Sequence, residues 1–117
     1  MWYYFDQMKV HYYYVYILTN YSKKVLYIGI TNDLSRRVCE HYFNRGDSAT
    51  FSGRYYCYWL IYYEEYESIK RAIEREKELK GCKRFRKHEL INLENAGWRF
   101  LNAEVCEFWP PKEENTS

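Results

Sequence analysis

Apolar and polar positions change period several times along this chain, and each change predicts an element. Residues 12–19 are aromatic and β-branched, which predicts a strand. On it Tyr12, Tyr14 and Tyr16 share one face, while Tyr13, Val15 and Ile17 share the other. Residues 25–30 (Val-Leu-Tyr-Ile-Gly-Ile) predict a second strand. The polar segment between the two reads as a hairpin turn, so they pair antiparallel. Thr31, Asn32 and Asp33 then offer N-cap residues, and Leu34, Val38 and Tyr42 recur at spacing four, the stripe of a first helix. Residues 44–53, with two glycines, predict a loop, and residues 55–64 a third strand. Ser68 caps a second helix that runs to Gly81, a candidate C′ residue, with Ile69, Ala72, Ile73, Glu76 and Leu79 facing inward. Residues 84–94 predict a third helix, with Phe85, Leu90, Ile91 and Leu93 as its apolar positions. The order ββαβαα describes an α+β fold: a small three-stranded antiparallel sheet with packed helices.

A chain of 117 residues supports one modest core. We expect an N-terminal extension over residues 1–7, a folded domain over 8–103 and an acidic tail over 104–117; Met8 could serve as a second start. No apolar run is long enough to cross a membrane, and the N-terminus lacks the basic and small-residue features of a signal peptide. Cys39, Cys57, Cys82 and Cys106 show no metal-ligand or redox spacing, so they read as reduced thiols of a cytoplasmic protein. The net charge of +2 decides little, but its distribution points to a polyanion. Lys80, Lys83, Arg84, Arg86 and Lys87 lie in one stretch without an acid, whereas the tail after Glu104 is acidic.

Glu76 breaks its local pattern. An acid on an apolar stripe must be paired, with a neighbour such as Arg75 or Arg37, or bound to metal. Arg37 and His41, at i and i+4, project from one side of the first helix at the edge of the core. There they are either a solvated face or a phosphate-binding and proton-handling pair. Tyr16 and Tyr27 could be strand packing in a chain with 15 tyrosines. Gly29 is harder to read as packing, because glycine inside a short strand often marks the close approach of another group.

Together these residues resemble the GIY-YIG nucleases, a family that includes the N-terminal nuclease domain of a repair excinuclease and the GIY-YIG homing endonucleases. They are most similar to small stand-alone bacterial members. Tyr14-Val15-Tyr16 stands at the first motif, with Tyr14 in place of its glycine, and Tyr27-Ile28-Gly29 matches the second. Residues 31–37 with His41 resemble the family's arginine helix, and residues 72–76 its metal-binding helix. Residues 51–55, 60–64 and 84–87 also have counterparts. The resemblance implies that Tyr16 acts as general base or supports it, Tyr27 helps position or activate the attacking water, Arg37 binds the scissile phosphate, His41 assists with proton transfer or phosphate orientation, and Glu76 holds one divalent cation, Mg2+ or Mn2+. It implies an endonuclease acting on DNA, with RNA open as a substrate, in repair or recombination. The alternatives are a non-catalytic nucleic-acid-binding module on the same scaffold, or an interaction domain whose aromatics form an interface. The basic stretch Lys80–Lys87 and exposed tyrosines would contact nucleic acid, and a protein partner could add specificity. Asn92, Asn95 and Asn102 are candidates for the asparagine that larger members add. If the reading holds, Tyr16, Tyr27, Arg37 and Glu76 line one open cleft with His41 beside it.

Overall fold

The computed structural model describes residues 11–113; the expected extension over residues 1–7 and the last residues of the tail lie outside them. Strands β1 (Tyr13–Thr19), β2 (Leu26–Thr31) and β3 (Trp59–Tyr66) form one antiparallel sheet in the order β2-β1-β3. Helices α1 (Leu34–Phe43), α2 (Phe51–Arg54), α3 (Ile69–Gly81), α4 (Arg84–Glu94) and α5 (Asn102–Val105) follow in chain order around β3. The α+β class and the ββαβαα order of the main elements are those the sequence pattern predicts, with α2 and α5 as short additions.

Period two divides the central strand between two cores. Val15 and Ile17 pack with Ile28, Ile61, Tyr62, Ala72, Leu79 and Ile91 beneath α3 and α4. Tyr16 and Leu18 pack with Leu34, Val38, Leu60, Leu101 and Cys106 beneath α1 and α5. Both faces are therefore covered, and burial of these side chains on each face is the main stabilising term. The caps are those the sequence offers: Asp33 Oδ1 accepts from the Arg36 N–H at 3.1 Å and Ser68 Oγ from the Arg71 N–H at 3.3 Å. Each such cap contributes about 1 kcal/mol.

Strand ends shift by one or two residues, and three larger differences from expectation have a visible cause. The predicted loop contains α2, whose N-cap Thr50 accepts from the Gly53 N–H at 3.1 Å. β3 begins at Trp59 rather than 55, because the N–H groups of Tyr55 and Tyr56 turn back to the Phe51 and Gly53 carbonyls and Tyr56 sits at φ 55°. The expected boundary at 103 falls inside α5, and beyond it Cys106 is buried and Trp109 packs on the same core. Helix α3 is also rotated from its expected stripe. Ile69 and Ile73 are exposed, and the covered side runs through Ala72, Arg75, Glu76 and Leu79. The four cysteines are free thiols, and among the described residues no helix is long and apolar enough to cross a membrane.

Candidate active site

Tyr16 sits on the central strand directly opposite Gly29 on β2. Its ring lies across that glycine: a Cβ at Gly29 would come within 2.3 Å of both Tyr16 Cζ and its hydroxyl. The glycine therefore gives the phenol a path over the edge strand, which is the close approach its position implied. Two residues back on β2, on the same face, Tyr27 leans against Tyr16 with ring centroids 6.4 Å apart.

Helix α1 delivers the next groups. Asp33 fixes its start, so Arg37 and His41 both turn toward the tyrosines. His41 Nε2 lies 2.8 Å from the Tyr16 hydroxyl, and its ring centroid is 5.1 Å from that of Tyr27. Its other nitrogen, Nδ1, lies 3.1 Å from Ser52 Oγ on α2. Arg37 is close enough to Tyr16 and Tyr27 for their phenols to favour its charge, and it pairs with Glu40 at 3.0 Å. Glu76, arriving from α3, acts on Tyr16 through its charge. Of the five residues singled out from the sequence, His41 meets the Tyr16 hydroxyl, Tyr27 packs against both rings, and Arg37 and Glu76 lie near enough for their charges to act on the phenol, but the set does not form one open cleft. Tyr16 is 1% exposed and His41 4%, so they form a floor. Arg37 and Glu76, at 37% and 16% side-chain exposure, and the half-buried Tyr27 are the groups that solvent reaches. His41 lies deeper than a helix edge because α2 and Ser52 close over it.

Burial sets the proton affinities. It pushes the Tyr16 phenol above its ordinary value, and Tyr27 adds to this; the neighbouring Arg37 guanidinium opposes both. Burial first, and then the Arg37 charge, lowers His41 to about 4, with Glu40 in opposition. At neutral pH the floor is a neutral phenol hydrogen-bonded to a neutral imidazole.

Among the described residues Glu76 pairs with neither Arg75 nor Arg37, the arginines expected of a structural ion pair. Arg75 turns instead to Glu64, with Nε and Nη2 each 2.9 Å from a carboxylate oxygen, and to Glu78 at 2.6 Å. Tyr62 and Tyr66 also donate to Glu64. Burial alone would raise the Glu64 carboxyl, but these donors hold it below its usual range. Among the described residues the ion-pair partner of Glu76 is Lys80, at 3.4 Å and half exposed. Among the described residues no three His, Cys, Asp or Glu side chains cluster. The donor set is one hard carboxylate, which fits a hard cation that keeps waters and takes phosphate oxygens, rather than a thiolate or imidazole cage.

The basic stretch forms the elbow between α3 and α4. Lys83 and Arg86 are exposed, and Lys80 reaches back to Glu76. Arg84 donates to the Lys24 carbonyl and Lys87 Nζ to the Cys82 carbonyl at 3.1 Å, so these two also brace the fold. The three candidate asparagines are held elsewhere. Asn102 Nδ2 donates to the Tyr58 carbonyl at 2.9 Å, and its Oδ1 accepts from the Leu60 N–H at 2.8 Å. Asn95 Nδ2 donates to the Ile61 carbonyl at 3.0 Å, and Asn92 accepts from Trp98 Nε1 at 2.6 Å. Asn95 and Asn102 anchor β3. Ser52 is the residue at the floor whose part sequence reasoning missed; its only signal was its place in the segment 51–55.

A family model described as the GIY-YIG catalytic domain matches residues 12–96. A UPF0213 protein of Haloquadratum walsbyi is 37% identical over 79 residues, covering 68% of this chain and 85% of that protein. A UPF0213 protein of Natronomonas pharaonis is 33% identical over 78 residues, covering 67% and 88%. The solution NMR structure of a UPF0213 protein from Bacillus halodurans aligns with a TM-score of 0.49 and 28% identity, over 74% of this chain and 89% of that one.

Proposed function

Because this chain belongs to the GIY-YIG catalytic domain family, we propose that it is a metal-dependent endonuclease that hydrolyses DNA phosphodiester bonds, in repair or recombination. The observation that carries this reading is the 2.8 Å approach of the Tyr16 hydroxyl to His41 Nε2, with Arg37 and Glu76 beside it. A buried phenol is a poor base by itself, since its charged form is disfavoured. It can take a proton from water as it passes its own to a neutral imidazole, and His41 is neutral at physiological pH. Tyr27, against both rings, orients the water. Arg37, partly exposed above them, meets the phosphate and the charge that develops on it. Glu76 would hold one Mg2+ or Mn2+ ion, which when bound supplies charge neutralisation at the phosphate. Lys80, Lys83, Arg84, Arg86 and Lys87 supply sequence-independent contacts to the nucleic-acid backbone. The four free thiols suit a cytoplasmic location.

Glu76 provides the test. Its partner is a half-exposed lysine, and such pairs contribute about 0–1 kcal/mol. Glu76→Gln should therefore abolish Mg2+-dependent nicking of plasmid DNA with little change in melting temperature. Full nicking by the variant would remove Glu76 from the site. A second reading, a binding module without cleavage, draws on the pairing of Arg37 with Glu40 and of Glu76 with Lys80. Salt-dependent DNA binding by a wild-type protein that cuts neither DNA nor RNA with Mg2+ or Mn2+ would favour it.

A further inference from the structure

His41 is held from both sides, and the far side has no role in the chemistry above. Ser52 is buried, and its Oγ lies 3.1 Å from His41 Nδ1. The segment that carries it is tightly specified. Gly46 N–H donates to the Gly53 carbonyl at 2.8 Å, and Cys57 N–H to the Ser52 carbonyl at 2.8 Å. A Cβ at Gly53 would come within 2.5–2.7 Å of the Asp47 carbonyl oxygen, Thr50 Oγ1 and the Asn44 carbonyl oxygen. Backbone packed this closely leaves the Ser52 side chain little freedom of position.

The proton inventory decides the direction of the chain. The Tyr16 hydroxyl is buried and must place its proton. Arg37, its charged neighbour, carries donors only and cannot receive it. His41 Nε2 can, provided that nitrogen bears no proton of its own. A neutral imidazole then has its single proton on Nδ1, and Ser52 Oγ is the acceptor for it. In the opposite tautomer Nε2–H and Arg37 would both aim protons at the Tyr16 oxygen, and the phenol proton would lose this acceptor.

We propose that Ser52 is a positioning residue that locks His41 as the Nδ1–H tautomer and so keeps the Nε2 lone pair aimed at Tyr16. Ser52 touches no substrate. It acts through His41 on the phenol, and the three side chains form one directed chain from α2 to the reacting end. The catalytic part of this inference rests on the nuclease reading; the tautomer part does not.

The experiment has two arms on the whole chain. Two-dimensional long-range ¹H–¹⁵N spectra of the histidine rings report the tautomer without any substrate. Wild type should show His41 with Nδ1 protonated and Nε2 bare. Ser52→Ala should shift His41 toward the other tautomer, and Ser52→Thr, which keeps the hydroxyl, should retain it. In cleavage assays Ser52→Ala should lower kcat by about 10–100-fold, as expected on removing a group that orients another, with KM and melting temperature little changed. It should have no further effect in a His41→Ala background. An Nε2–H wild type, or a tautomer indifferent to Ser52→Ala, overturns the proposal. Equal losses from Ser52→Ala in both backgrounds would overturn its action through His41. A wild type that does not cut refutes the nuclease reading instead, and the spectra still decide the tautomer.

Discussion

At the scale of residues, the site is organised by what one glycine lets one tyrosine do. With Gly29 opposite it, the Tyr16 ring crosses β2 and meets His41, which is buried between that ring and Ser52. Burial has a thermodynamic consequence. An unfolded chain protonates His41 near its ordinary value of about 6.5, whereas the folded chain resists until about 4. The folded value is depressed, so the unfolded state binds the proton first as pH falls. The stability that depends on a neutral His41 is complete above pH ~6.5 and is lost progressively toward pH 4, by about 3 kcal/mol in all. His41→Gln removes this titration. Denaturant unfolding across that pH range should give a flatter curve for the variant than for wild type; parallel curves would mean that His41 is not held neutral by the fold. Glu76 and Gly29 were legible as pattern breaks, and Tyr16 through its place in the first motif. The depth of His41 was not, because the residue that encloses it, Ser52, lies in a segment with no periodicity to read.

At the scale of elements, the α3–α4 elbow carries basic side chains that brace the fold beside others that do not. Arg84 and Lys87 hold backbone carbonyls, while Lys83 and Arg86 are exposed, Arg86 no nearer than 4.0 Å to Glu89. Neutralising Lys83 and Arg86 to Gln should leave the melting temperature in place and weaken DNA binding at every sequence. The slope of log affinity against log salt should flatten by about one for each phosphate that is no longer neutralised. An unchanged slope would place the nucleic acid on another surface. The same elements show where pattern reading succeeds. Residues 84–94 form α4 as expected, although its N-cap Lys83 makes no side-chain cap hydrogen bond. The start of β3 was misplaced because Tyr55 and Tyr56 have strand-like side chains, yet their backbone closes the α2 turn. Long-range burial also overrode the stripe of α3: Arg75 faces inward to reach Glu64 on β3, which sequence spacing cannot show.

At the scale of the whole molecule, the order β2-β1-β3 puts Tyr16 on the central strand, with helices covering both faces of the sheet. Groups from β2, α1 and α3 then surround the β1 hydroxyl, and α2 meets His41 from behind. That convergence was legible as an order of motifs. The closed floor was not, because covering Tyr16 requires the α1–α2 packing that only the folded chain has. The central claim is that this hydroxyl moves the proton in phosphodiester hydrolysis. Single-turnover cleavage of labelled DNA with Mg2+, comparing wild type, Tyr16→Phe and Tyr12→Phe, tests it most directly. Tyr16→Phe keeps the ring over Gly29 and removes one oxygen, so the rate should fall by about 10²–10⁴-fold, while the exposed Tyr12 tolerates the same change. Cleavage by Tyr16→Phe at the wild-type rate, or an equal loss at Tyr12, would contradict it.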